Sequence, residues 1–435
     1  MRVIRACKFS GIKTVAVFSD ADKNSLHVEM ADEAINIGPA QALKSYLNAE
    51  AILAAARKTG ADAVHPGYGF LSENAVFARL ATDAGLKFIG PSPEALELMG
   101  NKANARDFVR KLGVPTVSGS EGVVRSVVEA HRIGRAIGFP LLVKASAGGG
   151  GRGMRVIRTA ETLEEEFVAA QREARVTFGD DSVYLEQFVD RPRHVEVQVL
   201  GDGEGNVIAL GERDCSLQRR NQKLVEEAPC VALSSAQREA LLDSAVTIGQ
   251  AVNYEGAGTV EFLVERDRLY FIEMNTRIQV EHPVTEWVTG LDLVREQLLI
   301  ASGSRRIADL DPRVTGNAIE CRINAEDPSL DFFPSPGTVQ HLRLPGGPGV
   351  RVDTALFEGY NVTPYYDSLV AKVVVWGGSR AEALQRMRVA LDEFSCTGVK
   401  TTAQYLANVM DHPNVRQGLV DTQFLARLSA EHSEI

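Results

Sequence analysis

Two glutamates, Glu261 and Glu273, lie on neighbouring segments whose composition predicts a β-hairpin. The segments 258–265 and 269–275 are rich in apolar residues and are separated by a short charged turn. If the hairpin turns about Asp267, residues whose numbers sum to 534 face each other, so that Glu261 lies opposite Glu273. Like charges that face each other are destabilising unless a cation or a proton intervenes. The spacing therefore predicts a site for Mg²⁺ or Mn²⁺, which prefer oxygen ligands and bridge nucleotide phosphates.

The second segment continues into a row of polar side chains. With a side-chain period of two, four more residues share the face of Glu273 while the chain stays extended: Asn275, Arg277, Gln279 and Glu281. Carboxylate, amide, guanidinium, amide and carboxylate groups in this order favour a site for a metal that also bridges nucleotide phosphates. A solvent-exposed hairpin face is the alternative interpretation, and Arg277 could equally form a structural ion pair. The register is an assumption that a β-bulge would change.

A glycine-rich segment at 148–153 follows a predicted strand at 140–144. Consecutive glycines let backbone N–H groups approach a phosphate chain, and Lys144 and Arg152 add positive charge. The segment is not a Walker A loop, which ends in Gly-Lys-Ser/Thr. We therefore favour a mobile flap that closes over nucleotide phosphates, rather than a flexible surface hairpin.

The elements that must position these residues alternate in type along the first hundred positions. Short strands are predicted at 14–18, 63–65 and 87–89, with a helix at 49–59. Strands that alternate with helices indicate a parallel, doubly wound unit. The break at 90–93 favours a domain boundary.

A different pattern begins at His194. Valines occupy one face of a predicted strand and polar residues the other: Val195, Val197 and Val199 against His194, Glu196 and Gln198. A helix is predicted at 101–112, and the last region mixes strand and helix after a cluster of Gly and Pro at 334–349.

The composition excludes several classes of protein. The 435 residues are 45% hydrophobic and 24% charged, which is typical of a globular protein and indicates about three domains. A net charge of −10 provides no basic field for nucleic acid or anionic lipid. No apolar run approaches the ~18 residues of a membrane span. Five scattered cysteines without a CxxC pair indicate a reducing cytoplasm rather than a zinc site or disulfides.

Six segments along nearly the whole chain carry a family resemblance: HPGYGFLSEN at 65–74, AGGGGRGM at 147–154, ERDCSLQRR at 212–220, IEMNTRIQVEHP at 272–283, ECRINAED at 320–327 and YYDS at 365–368. Together they resemble the biotin carboxylases, a family of ATP-grasp enzymes. Glycine flaps are common, whereas the fourth and fifth segments together are highly specific.

The resemblance implies an ATP-grasp fold of mixed α/β and α+β class. It implies an N-terminal doubly wound, Rossmann-like domain at 1–98 and an ATP-grasp domain at 99–312 with a glycine-rich flap at about 117–187. A C-terminal biotin carboxylase domain at 316–430 would follow. In the family a strand and an Ala-Asn-Arg-Gly-Glu-Ile-Ala turn precede the helix in which this sequence starts, so we expect a segment missing ahead of Met1.

The implied activity is the first half-reaction of a biotin-dependent acyl-CoA carboxylase, with acetyl-CoA and fatty acid biosynthesis as the expected context. In this ligase reaction ATP phosphorylates bicarbonate to carboxyphosphate, which supplies CO₂ to a ureido nitrogen of biotin. The implied cofactors are ATP, Mg²⁺ or Mn²⁺, and biotin on a separate carrier. The implied partners are a biotin carboxyl carrier protein, carboxyltransferase subunits and a second copy in a homodimer, with neither nucleic acid nor membrane.

Site residues are carried over by position. ATP would be bound by Lys102, Lys144, Gly149, Gly150, Gly151, Glu186, Gln187, His194, Gln218 and Leu263. The two lysines would hold phosphates, while Glu186 and the Gln187 backbone would meet the adenine. The metal ligands would be Glu261, Glu273 and Asn275.

The implied catalytic residues are Glu281, Arg277, Arg322 and Lys223. The bicarbonate and biotin site would comprise Arg277, Gln279, Val280, Arg322 and Tyr68, with Phe70 nearby. Glu281 would remove the bicarbonate proton, Arg322 would stabilise the biotin enolate, and Lys223 would sit at the γ-phosphate.

Some interpretations stay open. Asn221 stands where the family usually has a histidine, so we expect weaker or altered nucleotide contacts. His194 could instead be a strand histidine bonded to a carboxylate, and Lys102 could simply begin a helix. The alternative functions are another ATP-grasp carboxylate ligase, of carbamoyl-phosphate type for example, and a non-catalytic assembly subunit.

Overall fold

The structure is a computed structural model that describes residues 1–146 and 153–433. Among the described helices, none is both long enough and apolar enough to cross a membrane. The helices are α1 (Arg2–Phe9), α2 (Leu26–Met30), α3 (Ala49–Thr59), α4 (Ala75–Asp83), α5 (Pro93–Gly100), α6 (Lys102–Lys111), α7 (Val127–Ile137), α8 (Leu163–Phe178), α9 (Ser235–Ala251), α10 (His282–Thr289), α11 (Leu293–Ala301), α12 (Arg380–Glu393), α13 (Ala403–Asp411), α14 (Pro413–Arg416) and α15 (Phe424–Ser433).

The strands are β1 (Val15–Phe18), β2 (Glu33–Asn36), β3 (Ala63–Val64), β4 (Lys87–Phe88), β5 (Leu141–Ala145), β6 (Met154–Ile157), β7 (Val183–Gln187), β8 (Arg193–Asp202), β9 (Val207–Arg219), β10 (Gln222–Ala228), β11 (Glu255–Glu265), β12 (Arg268–Asn275), β13 (Asn317–Asn324), β14 (Glu326–Asp327), β15 (Phe333–Pro334), β16 (Gly337–Thr338), β17 (His341–Arg343), β18 (Val350–Thr354), β19 (Asn361–Val362), β20 (Leu369–Gly377) and β21 (Ser395–Thr397).

The N-terminal region contains two parallel strand pairs, β1 with β2 and β3 with β4. Helices α3, α4 and α5 bury a shared apolar core. The predicted helix at 49–59 is confirmed at both ends, because the Asn48 side chain caps its first turn and Gly60 ends it with a φ of 63°. Parallel pairing between helices agrees with the predicted doubly wound unit.

Eight antiparallel strands form the largest sheet, in the order β12-β11-β8-β9-β10-β13-β20-β18. The valines of β8 (Val195, Val197 and Val199) pack with α6 and α9 in one core. Their polar neighbours therefore point to the opposite face, as the alternating pattern predicts. Strands β13 and β20 pack a second core against α12 and α13.

The predicted flap is a separate three-stranded antiparallel sheet, β6-β5-β7, covered by α7 and α8. Strands β5 and β6 pair from Leu141 with Ile157 to Lys144 with Met154. The glycine-rich segment therefore joins two antiparallel strands. Gly149, Gly150 and Gly151 lie outside the described residues.

The β11–β12 hairpin pairs Glu261 with Glu273, as predicted, although not in the predicted way. The turn consists of Arg266 and Asp267, so Glu265 pairs with Arg268 and the pairs near the turn sum to 533. A bulge at Ile272 then shifts the register by one residue and brings the two glutamates into opposition. The prediction of a turn centred on Asp267 is wrong.

Candidate active site

A cavity of about 540 Å³ opens between the polar face of the large sheet and the flap. Sixteen of the predicted site residues line it: Lys102, Lys144, Glu186, Gln187, His194, Gln218, Lys223, Glu261, Leu263, Glu273, Asn275, Arg277, Gln279, Val280, Glu281 and Arg322. Residues more than two hundred positions apart in sequence therefore meet in one place, which is the arrangement that the resemblance implies.

The aromatic residues of the 65–74 segment lie outside this lining. Tyr68 is 43% exposed, and its role beside biotin stays a prediction. Phe70 stacks on Tyr46 with ring centroids 5.1 Å apart and meets the edge of Tyr366 at 6.2 Å. Phe70 is thus part of an aromatic cluster between the N-terminal and C-terminal regions, not a wall of the cavity.

The polar row after Glu273 reaches the cavity without staying extended. Strand β12 ends at Asn275, and the chain runs irregularly to Glu281, the residue immediately before α10. The extended conformation predicted beyond Asn275 is therefore wrong. The side chains still converge, because Gln279 Nε2 and Asn275 Nδ2 both donate to Glu261 Oε1, at 2.9 and 3.0 Å.

Lys223 is the centre of the charged network. Its Nζ donates to Glu196 Oε2 at 2.5 Å, to Glu281 Oε1 at 2.7 Å and to Glu261 Oε1 at 2.8 Å. Burial alone would lower the pKa of Lys223, but these three carboxylates outweigh it and raise that pKa well above its usual value. The ammonium is therefore charged at any working pH.

The two glutamates predicted as metal ligands each contact a nitrogen-bearing side chain. Glu261 Oε2 pairs with His194 Nε2 at 2.9 Å, and Glu273 pairs with Lys102 Nζ. Burial tends to raise the pKa of Glu261, whereas Lys223 and His194 together hold that pKa well below its usual range. Two carboxylates on facing strands, with the amide of Asn275 hydrogen-bonded to Glu261, provide oxygen donors of the kind that suits Mg²⁺.

Arg277, the predicted bicarbonate ligand, is held from two sides. Its Nε donates to Glu73 Oε2 at 2.8 Å, and its Nη2 donates to Asn275 Oδ1 at 3.0 Å. Arg277 thus both forms an ion pair with Glu73 and lines the cavity. Glu73 is a residue that sequence reasoning did not assign, although it lies in the 65–74 segment. It ties the N-terminal region to the cavity.

Glu281 and Arg322 contact each other directly. Arg322 Nη2 donates to Glu281 Oε2 at 2.8 Å, while Arg322 Nε donates to Glu226 Oε1 at 2.6 Å. Burial would raise the pKa of Glu281, but Lys223, Arg322 and Arg213 outweigh it and hold that pKa well below its usual value. Glu281 is therefore ionised at neutral pH and able to accept a proton.

The predicted nucleotide end lies beside the flap. Lys144 Nζ donates to Glu186 Oε2 at 2.5 Å, and Arg106 Nε lies 3.3 Å from Glu186 Oε1. His194 is a strand histidine bonded to a carboxylate, as the alternative interpretation has it, and its Nδ1 also contacts Gln218 Nε2 at 2.8 Å. Lys102 is indeed the first residue of α6, and its side chain nonetheless reaches the cavity.

Arg213 is a second residue that sequence reasoning missed. It is fully buried, and its guanidinium donates to five side chains: Glu196, Gln198, Thr259, Gln279 and Thr285. The signal available in the sequence was the placement of Glu196 and Gln198 on the face of His194, since buried polar groups of this kind require a partner. Arg213 thus fixes Glu196 behind Lys223.

Asn221 lines the cavity from the tight turn between β9 and β10. Arg220 and Asn221 have φ angles of 51° and 64°. Asparagine tolerates this left-handed conformation better than most residues do. The departure from the family pattern therefore removes an imidazole from the cavity while leaving the turn intact.

Known proteins share both the sequence and the architecture. Family models match residues 1–96 as the biotin carboxylase N-terminal domain, 101–307 as the carbamoyl-phosphate synthase L chain ATP-binding domain and 320–427 as the biotin carboxylase C-terminal domain. The biotin carboxylase of Nostoc sp. is 53% identical over 99% of this chain and 96% of its own length. Biotin carboxylase 1 of Bacillus subtilis is 52% identical over 98% of this chain and 95% of its own.

Two solved structures are similar along almost their whole length. A biotin carboxylase from Campylobacter jejuni, solved as a β,γ-ATP complex, has a TM-score of 0.96 at 45% identity and covers 98% of this chain and 96% of its own. The biotin carboxylase domain dimer of the Hydrogenobacter thermophilus 2-oxoglutarate carboxylase, in complex with MgADP, ADP and bicarbonate, has a TM-score of 0.94 at 50% identity, with coverages of 98% and 94%. The predicted ATP-grasp fold and enzyme class are confirmed: the chain belongs to the biotin carboxylase family.

Proposed function

We propose that this protein uses ATP to carboxylate carrier-bound biotin with bicarbonate through carboxyphosphate. The observation that carries the proposal is the contact of Glu281 with both Lys223 and Arg322 at the floor of one cavity. The proposed proton acceptor, Glu281, thus contacts both the proposed cation for phosphate, Lys223, and the proposed cation for the enolate, Arg322.

The first step requires a bicarbonate anion in line with the γ-phosphate. Arg277 can hold a carboxylate-shaped anion in two hydrogen bonds, because its guanidinium plane is fixed by Glu73 and Asn275. The bicarbonate O–H bond breaks toward Glu281, which gains the proton, and the electron pair left on that oxygen attacks the γ-phosphorus. ADP leaves with the electrons of the broken P–O bond.

Charge stabilisation comes from the lysines around the phosphates. Lys102, Lys144 and Lys223 line the cavity and supply fixed cations for the phosphate oxygens. Mg²⁺ at Glu261, Glu273 and Asn275, when bound, would neutralise charge that develops between the β- and γ-phosphates. His194 pairs with Glu261 and Lys102 with Glu273, so a bound metal would share these carboxylates with two side chains of the protein.

The second step requires a nucleophilic biotin. Carboxyphosphate breaks down to CO₂ and phosphate, the phosphate takes the N1′ proton of biotin, and the resulting enolate oxygen needs a fixed cation. Arg322 meets this need. Burial lowers its pKa, but Glu226, Glu281 and Glu320 raise that pKa by more, so the guanidinium stays charged. The N1′ nitrogen then attacks CO₂ and forms the C–N bond.

We further propose that the chain acts as a homodimer with a separate biotin carboxyl carrier protein and carboxyltransferase subunits, and that acetyl-CoA is the final acceptor. The dimeric relative supports the homodimer, and a relative named the 2-oxoglutarate carboxylase small subunit supports an assembly with further subunits. Five free thiols fit a reducing, cytoplasmic location. The divisions 1–98, 99–312 and 316–430 stay our proposal for the domains.

The test is a carboxylation assay on the purified chain. Incorporation of labelled bicarbonate into free biotin, dependent on MgATP, is the expected result. Glu281→Gln should lower the rate by about 100- to 1000-fold, because the proton acceptor is lost. A rate of ATP cleavage that biotin does not change would favour another ATP-grasp ligase. No bicarbonate-dependent ATP cleavage at all would indicate a non-catalytic subunit.

A further inference from the structure

A pair of buried carboxylates lies directly behind Arg322. Glu226 on β10 and Glu320 on β13 are opposite each other in the antiparallel register, and both side chains are 0% exposed. One oxygen of Glu226 accepts from Arg322 Nε at 2.6 Å. Across the described residues, the other oxygen of Glu226 and both oxygens of Glu320 have no hydrogen-bond partner.

Two ionised carboxylates in this position would be strongly unfavourable. Directly opposite residues have Cβ atoms about 5 Å apart, and a buried charge without a partner is costly. The nearest further cation is Lys372, whose Nζ lies 3.9 Å from Glu320 Oε2 and donates to the Val280 carbonyl instead. One proton shared within the pair removes the repulsion, as it does in other carboxylate pairs.

The proton belongs on Glu320. Arg322 stabilises the negative charge of Glu226 by a short charge-assisted hydrogen bond, whereas no residue in the described part of the chain donates to Glu320. Burial raises the pKa of Glu226 to about 7 and that of Glu320 well above its usual value, with Arg322 acting against burial in the first case and Lys372 in the second. The other charged groups that act on the pair are Lys223 and Glu281.

Arg322 is therefore held at two ends by groups of different kind. Its Nη2 donates to Glu281, the proton acceptor of the proposed reaction, and its Nε donates to Glu226, which is not among the described residues that line the cavity. When Glu281 takes the bicarbonate proton, it loses its charge, and the hydrogen bond from Nη2 weakens. The bond from Nε to Glu226 does not change in that step.

We propose that Glu226 is the positioning residue of Arg322, and that the proton of the pair resides on Glu320, so that Glu226 is the carboxylate that accepts from Arg322 Nε. The guanidinium then stays anchored through Nε, while the hydrogen bond that Nη2 donates changes its acceptor from Glu281 to the enolate oxygen of biotin. Stabilisation of the enolate thereby becomes available only after bicarbonate is deprotonated. This inference rests on the proposed function.

The test compares two neighbouring glutamates of β10 that each bind a partly buried arginine. Glu226→Gln removes the anchor of Arg322. Glu227→Gln is the matched control, because Glu227 accepts from Arg380 Nε at 2.6 Å on the other face of the sheet. We expect Glu226→Gln to lower kcat for biotin carboxylation about 100-fold, the size of effect that misplacement by about 1 Å produces. KM for MgATP and bicarbonate should change less than about threefold.

The outcomes separate this inference from the function on which it rests. A wild-type chain that does not carboxylate biotin refutes the proposed function. An active wild type with equal losses in Glu226→Gln and Glu227→Gln overturns the positioning role. If Glu226→Gln does not fold, Glu226→Asp keeps the charge but withdraws it by one methylene; an intermediate loss of kcat supports the anchor, and wild-type kcat refutes it.

Infrared spectroscopy can detect the proton proposed on Glu320 independently of activity. The infrared spectrum of the wild type should contain the carbonyl stretch of a buried carboxylic acid at about pH 8, above the usual range of carboxyl titration. This band should disappear in Glu320→Gln and persist in Glu227→Gln. Its absence from the wild type would overturn the assignment of the proton to Glu320.

Discussion

Lys223→Met removes the cation at the centre of three buried carboxylates and keeps the length of the side chain. Each carboxylate retains a second partner: Arg213 is 2.6 Å from Glu196, His194 is 2.9 Å from Glu261 and Arg322 is 2.8 Å from Glu281. Breaking a buried ion pair costs about 3–5 kcal/mol. The remaining partners place the expected loss near the lower end, about 3 kcal/mol.

The loss should depend on pH in a defined direction. Lys223 helps to hold the pKa values of Glu261 and Glu281 below their usual range. A carboxyl whose folded-state pKa is lowered stabilises the fold above its unfolded pKa of about 4.3, and this stabilisation is lost as the pH falls through the folded-state pKa. Without Lys223 both pKa values rise, so the deficit of the variant is largest at neutral pH and shrinks on acidification.

The assay is thermal unfolding at about pH 7.5 and about pH 3.5, on either side of the unfolded-state carboxyl pKa of about 4.3, together with carboxylation activity. A loss of about 3 kcal/mol lowers Tm by about 6–12 °C in a domain of this size. Removal of the cation at the γ-phosphate should lower kcat by about 100- to 1000-fold. The exposed Lys87, paired with Glu255 at 2.6 Å, provides the control Lys87→Met. A Tm deficit that is equal at both pH values would refute the reasoning.

Three further predictions concern ligand binding. Glu73→Gln should raise KM for bicarbonate about three- to tenfold with KM for MgATP unchanged, since one half-exposed anchor of Arg277 is weakened; an unchanged bicarbonate KM would contradict this. Asn221→His should lower KM for MgATP by about two- to fivefold, since an imidazole returns to the cavity at a turn position that histidine tolerates; a higher KM would show that the asparagine is the better fit. Glu273→Gln should raise the Mg²⁺ concentration for half-maximal activity by about tenfold or more. The control is Lys102→Arg, which keeps the cation paired with Glu273 and should leave that concentration nearly unchanged. Equal Mg²⁺ dependence in Glu273→Gln and wild type would show that Glu273 is not a metal ligand.

Much of the site was predictable because sequence motifs identify the site residues even where the local backbone conformation is not known. The opposition of Glu261 and Glu273 followed from strand periodicity, yet the bulge at Ile272 that produces it has no signature in the sequence. The convergence of Arg277 and Glu281 was predicted from an extended strand that in fact ends at Asn275. In both cases local conformation was decided by packing that a single sequence does not display.

The residues that sequence reasoning missed share one property. Arg213, Glu226 and Glu73 act through contacts between distant segments, such as the pair formed by Glu73 and Arg277, 204 positions apart. Periodicity assigns a side chain to a face of its own strand, but it does not say which strand lies beside it. Only the order of the strands in the large sheet reveals that β10 and β13 are neighbours, and with it the Glu226–Glu320 pair.

The large sheet also limits how such enzymes can be recombined. Strand β10, which carries Lys223, exchanges backbone hydrogen bonds with β13, which carries Arg322. The spacing between Lys223 and Arg322 is therefore set by a ladder of backbone hydrogen bonds, and not by a hinge. A chimera that joins two relatives between residues 307 and 320 would have to rebuild this ladder from strands of different parents. Crossovers at the base of the flap, outside the ladder, should be tolerated far more readily.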